Sequence, residues 1–141
     1  MKSVLVGRHQ LLEGQKKALD ELGIEVVEQV VNIDNPQEFV QRAANLGVDV
    51  IVIQALPLPI LAQILQSAKR HGIKVYMFNQ GKAEIFDSKE DAEKYVQELP
   101  EYRVLLASPT DNKFRVVEFT SVEEVQEIRI VTKTVWKSPY S

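Results

Sequence analysis

At 141 residues, with a formal net charge of −3 and 26% charged side chains, the chain has the size of one domain and enough apolar content to bury its own core. Slight acidity argues against broad electrostatic binding to nucleic acid or acidic membranes. The absence of cysteine excludes disulfides, thiolate metal sites and thiol nucleophiles.

Met1-Lys2-Ser3 leads directly into an apolar strand, without a signal-peptide pattern. No apolar run reaches the length of a membrane helix, so a cytoplasmic protein is expected. Ser3–Val6 reads as the first strand and Gly7-Arg8-His9-Gln10 as the turn that follows. Leu12, Ala18, Leu19 and Leu22 then give a helix its buried stripe. The second strand runs from Ile24 to about Ile33, and its Glu25, Glu28 and Gln29 suit a place near a sheet edge. Asn35-Pro36-Gln37-Glu38 supplies a helix start, with Asn as N-cap, Pro at the first helical position and Glu two residues later.

Val48, Val50, Ile51, Val52 and Ile53 form a nearly unbroken β-branched run. A strand apolar on both faces belongs in the middle of a sheet covered by helices on each side. It ends at Gln54, ahead of Pro57 and Pro59. A helix through Ile60, Leu61, Ile64, Leu65 and Ala68 closes on Lys69, Arg70 and His71, cations that complement the negative end of its dipole. The fourth strand is Ile73–Phe78, followed by an Asn79-Gln80-Gly81-Lys82 turn. Ser88 caps a fourth helix, which Pro100 stops.

Gly23, Gly47 and Gly72 recur about every 24–25 residues, each between a helix end and a strand. That repeat is ordinary βα alternation. Beyond it, Tyr102–Ala107 and Lys113–Thr120 read as strands around a Pro109–Asn112 turn. Ser121–Glu124 reads as a short capped helical turn, and Glu127–Lys137 as a third alternating strand. The expected fold is therefore α/β: a Rossmann-like or flavodoxin-like three-layer sandwich with parallel strands in the order 2-1-3-4, followed by an antiparallel C-terminal meander. The whole of 1–141 reads as one domain, with 1–100 the parallel core and 101–141 the extension.

In such a sheet, ligands bind at strand C-termini where the order reverses, here between strands one and three. Gly7, Arg8, His9 and Gln10 fall there, with Gln54 opposite, and Asn79 and Lys82 one strand farther along. Arg8 would hold a phosphate or carboxylate, helped by backbone N–H groups of the following helix. His9 would serve as general acid or base if the protein is an enzyme.

Signals for specific chemistries are missing. Gly7 has no partner glycines for a dinucleotide fingerprint or a phosphate loop. Arg8-His9 and Gln54 replace the acidic cluster and aspartate of a receiver domain, and no serine elbow is present. Two distant histidines make no metal site, and no cofactor is expected. Over roughly the first two-thirds of the chain, the βα core resembles Rossmann-like sensor and receptor domains, including those that bind cyclic nucleotides. The resemblance is one of fold and implies a site at the strand ends without a family-specific motif.

The leading expectation is a non-catalytic ligand-binding or regulatory module for an anionic small molecule, a nucleotide among the candidates. One alternative is a metal-independent phosphoester hydrolase using His9. The other is an assembly protein acting through its C-terminal strands. Arg129, Lys133 and Lys137 share a strand face near Trp136 and Tyr140. With Glu123, Glu124 and Glu127 beside them, homodimer pairing is expected there ahead of nucleic-acid binding.

Overall fold

The structure is a computed structural model describing residues 1–106, 111–129 and 131–140. It is a mixed α/β fold with four helices, in which a parallel sheet core is extended by antiparallel strands. Strands β1 (Lys2–Val6), β2 (Glu25–Val30), β3 (Val50–Ile53) and β4 (Lys74–Gln80) are parallel, in the spatial order β2-β1-β3-β4. Helices α1 (Glu13–Glu21), α2 (Pro36–Asn45) and α3 (Leu58–Arg70) connect them.

The glycine repeat has a direct structural cause. Gly23, Gly47 and Gly72 take φ of 72°, 73° and 68° just past the ends of α1, α2 and α3. The next residue's N–H then folds back onto the helix, as in Ile24 N to Leu19 O at 2.8 Å and Ile73 N to Ala68 O at 2.9 Å. Asn35 caps α2 as expected, its side chain accepting from Glu38 N at 3.0 Å.

Alternation along the central strands divides the core in two. Val4, Val6, Ile51, Ile53 and Val75 pack against α2 and α3. Leu5, Val50, Val52 and Phe78 face the other way, onto Leu19 of α1. Every residue of β3 is at most 1% exposed, as its unbroken apolar run requires.

The C-terminal part corrects the expected meander, so the complete sheet only partly matches a 2-1-3-4 design. β5 (Glu84–Phe86), α4 (Lys89–Glu98), β6 (Arg103–Leu105) and β7 (Phe114–Glu124) follow β4. β7 is one long strand that pairs antiparallel with β4, β5 and β6. Its register runs from Gln80–Phe119 to Glu84–Val116, so β5 resumes the line of β4 after a break at 81–83. β6 pairs along the opposite edge.

Ser121–Glu124 is not the expected helical turn. It is strand, because Tyr76, Met77, Phe78 and Asn79 offer it a complete ladder. Asn79 and Gln80 likewise end β4 instead of forming a turn. A bulge at Thr120 lets Phe119 and Val122 face the same core.

The expected third strand of the meander, Glu127–Lys137, is absent among the described residues. Val125 N bonds Val75 O at 2.8 Å, and Val125 and Ile128 pack on the α2–α3 side. Past them the described residues form neither helix nor strand. A strand needs a neighbour, and this segment has none within one chain. Ala107, Pro109, Thr110 and Ile130, named in those expectations, lie outside the described residues. No described helix is long and apolar enough to cross a membrane.

The β6–β7 hairpin is fastened at both ends. At its turn, Asp111 accepts from Arg115 Nη2 at 2.6 Å and from Lys113 N at 3.1 Å. That guanidinium holds the Asp111 carboxyl down to about 2, so the pair stays ionised at neutral pH. At its other end, Arg103 donates to Glu118 Oε1 at 2.7 Å and Tyr95 O at 2.8 Å, and stacks 3.7 Å over the Tyr95 ring. These contacts tie β6 to α4 and hold the 103–106 segment beside the C-terminal end of β4.

Candidate functional site

The turn at the strand-order reversal is locked by two glutamines. Gln54, just past β3, accepts from His9 N at 3.1 Å through Oε1 and donates to His9 O at 2.6 Å through Nε2. Gln29 of β2 donates to Gly7 O at 2.7 Å and His9 O at 3.2 Å. Gly7 N completes the frame by donating to Val30 O at 2.9 Å. Gly7 holds φ at 143°, and a β-carbon there would stand 2.6 Å from Gln54 Cβ. Glycine is what allows Gln54 to approach closely enough to act as a backbone mimic.

This changes the reading of several expected site residues. Gln54 does lie opposite Gly7–Gln10, but its carboxamide is engaged by the turn, which makes it a positioning residue. His9 and Gln10 border the cleft described below, while Arg8 is exposed on the same turn. Arg8 has no hydrogen bond or ion pair among the described residues.

The expected cradle at the start of α1 is largely used up. The helix begins at Glu13, five positions after Arg8, and its first turn carries that acidic side chain. Leu12 N donates to Gln15 Oε1 at 2.9 Å and Gly14 N to Glu101 O at 3.0 Å. Asn79 alternates with Phe78 and so lies on the opposite face of β4 from the cleft. Its carbonyl accepts from Thr120 Oγ1 at 3.2 Å. Lys82 is exposed in the 81–83 break and does not line the cleft.

A cleft of about 530 Å³ opens at the C-terminal ends of β1, β3 and β4, on the α1 face of the sheet. Phe78, Val117 and Leu12 line its apolar part, with Val104 and Leu106 arriving from the distant hairpin. Gln10, Gln15 and Gln80 supply amides beside the engaged Gln54, and His9 is the one titratable side chain among the described lining residues. A second depression, of about 430 Å³, lies at Gly23–Val26, beside the N-terminal end of β2. The first has the position and size typical of a small-molecule site.

Gln15 is the residue that strand-end reasoning misses. It is 7% exposed, and its Oε1 is pinned by Leu12 N. Its Nε2 has no partner among the described residues and is not sealed from the cleft. A signal existed: Gln15 is a polar residue inside the Leu12–Ala18–Leu19 stripe. No such signal existed for Val104 and Leu106, which reach the cleft through non-local antiparallel pairing.

The His9 imidazole has no hydrogen-bond partner among the described residues. It therefore lacks the orienting group that an acid–base or nucleophilic site normally places behind a histidine.

No family model matches the chain, and no curated protein matches it. Among solved structures, it is similar to a solution structure of a phosphate-loop protein, at 16% identity. That match covers 70% of this chain and 88% of the other, with a TM-score of 0.36. A likeness this slight carries no argument about ligand or mechanism. What the geometry itself defines is an α/β domain with a neutral, amide-rich cleft at the carboxyl ends of its parallel strands.

Proposed function

We propose that this chain is a small-molecule-binding or regulatory module whose ligand occupies the cleft at the ends of β1, β3 and β4. The observation that carries the reading is the Gly7–Gln10 turn, hydrogen-bonded by Gln54 and Gln29 at the mouth of a cleft with a polar rim and an apolar floor. A site fixed before the ligand arrives avoids ordering costs on binding. Arg8 supplies the place for an anionic group, outside the cleft, where a phosphate or carboxylate keeps part of its hydration while pairing with the guanidinium.

Thermal-shift screening against nucleotides, nucleosides and phosphorylated metabolites tests this. Arg8→Ala is expected to weaken phosphorylated ligands about tenfold and leave their unphosphorylated counterparts unchanged. If no compound stabilises the wild-type protein, the reading is lost.

Self-association through the C-terminal segment is part of the same proposal. Val131, Val135 and Tyr140 are 93%, 92% and 97% exposed, and Trp136 is 75% exposed. They lie in an alternating sequence that has no partner strand among the described residues. Sedimentation over a dilution series should show a dimer for the full chain and a monomer for a chain ending after Arg129. Two monomers at every concentration would remove this part and leave the cleft proposal standing.

A further inference from the structure

We propose that the cleft selects a flat, uncharged heterocycle of the nucleobase class, read by the carboxamides of Gln15 and Gln80. This inference rests on the binding-module reading and specifies its ligand.

The argument begins at Gln15. Leu12 N fixes its Oε1 at 2.9 Å, which leaves the Nε2 donors without a partner among the described residues on a side chain that lines the cleft. Nε2 is still open to solvent, and an occupant that displaces its water must supply an acceptor or strand the donors at a cost. The ligand must therefore present a carbonyl or ring-nitrogen acceptor.

Gln80, the last residue of β4, has a carboxamide with no partner among the described residues. It offers a donor and an acceptor side by side. An amide or amidine edge, in which acceptor and donor alternate around a flat ring, satisfies such groups together.

The rest of the lining restricts the choice further. Phe78 is 5% exposed and Val117 is 7% exposed, so the floor is firm and apolar and suits a ring lying against it. No Lys, Arg, Asp or Glu lines the cleft among the described residues. His9 at the border is the one described lining side chain able to carry positive charge. An anion deeper inside would lose hydration without a countercharge, so the charged part of any ligand stays at or beyond the rim. A purely hydrocarbon ligand fails for the opposite reason, since it would strand the Gln15 donors.

The test compares four probes by calorimetry: free nucleobases, nucleosides, inorganic phosphate and a phosphorylated pentose without a base. Nucleosides or free bases are expected to bind, and the base-free phosphates to bind at least about tenfold more weakly.

Gln15→Glu is the informative variant, measured at mildly alkaline pH. A carboxylate keeps the acceptor for Leu12 N but removes the donor. Burial of the new carboxylate should lower the melting temperature. Affinity is therefore measured well below it, in protein shown to be folded, and nucleoside affinity should fall at least about tenfold. Gln80→Ala should cost a smaller factor.

Unchanged nucleoside binding by Gln15→Glu would overturn the inference. So would tight binding of the phosphorylated pentose with none of the bases or nucleosides, although that outcome would leave the binding-module reading intact. Failure of all four probes together with the wider ligand panel would remove both.

Discussion

Replacing Gly7 with alanine is expected to lower stability by about 3 kcal/mol and to abolish ligand binding together with it. Two physical terms act in the same direction. The backbone φ of 143° is strained for any residue with a β-carbon. The added carbon would also lie 2.6 Å from Gln54 Cβ and 2.7 Å from its Cδ. Gln54 cannot retreat without giving up both of its bonds to the His9 backbone, and the turn cannot retreat without giving up Gly7 N to Val30 O. Either response displaces His9 and Gln10 at the cleft.

Gly81→Ala is the matched control. Its new β-carbon would meet nothing closer than Thr120 Cγ2 at 3.6 Å, and its φ is not positive. It should be neutral or stabilising by about 0.5 kcal/mol, through the less flexible unfolded chain. Urea midpoints for both variants, at unchanged denaturant slope, give the comparison. Equal midpoints for Gly7→Ala and Gly81→Ala would show that the turn is free to relax and is not a preformed site wall.

The same turn shows how far residue patterns reach. Local signals were sufficient wherever the chain decides its own conformation. Gly23, Gly47 and Gly72 end helices because only they take positive φ cheaply, and Asn35-Pro36 starts α2 with groups three residues apart. The β2-β1-β3-β4 order is one of the few that right-handed crossovers allow for alternating strands and helices.

Non-local pairing is where such patterns fail. Ser121–Glu124 carries a helix-capping pattern, yet the ladder to β4 overrides it. Glu127–Lys137 alternates like a strand, but alternation describes only which side of a strand is buried and cannot supply a neighbour. Ile85-Phe86 reads as a strand end ahead of the Ser88 cap, but three residues, two of them exposed, carry no periodicity that would show β5 as a strand of its own. Within the site, the position of the Gly7–Gln10 turn was legible, but the task of Gln54 was not. A glutamine ending a central strand is compatible with holding either a ligand or a backbone, and only the distances to His9 decide between them.

Phe78→Ala should have the largest effect of any single change at the cleft, about 4 kcal/mol and about 10 °C in melting temperature. Phe78 is 5% exposed in the core that joins β3, α1 and β7, and its ring meets Phe119 edge to face at 5.5 Å. Phe119 in turn stacks on Tyr102 at 6.3 Å, and Phe119 N donates to Tyr102 O at 2.7 Å. Removing the Phe78 ring leaves a void where the parallel core and the antiparallel hairpin share a packed interior. The void adds a cavity cost to the lost burial, because the strands on either side are hydrogen-bonded and cannot collapse into it. Phe78→Leu restores most of the volume and should recover more than half of the lost stability. It does not restore a flat surface. If ring stacking contributes to ligand binding, Phe78→Leu should therefore remain folded yet bind nucleosides several-fold more weakly than wild type. Full affinity in a folded Phe78→Leu protein would mean that the floor serves only as packing, and ligand selection would then depend on the glutamines alone.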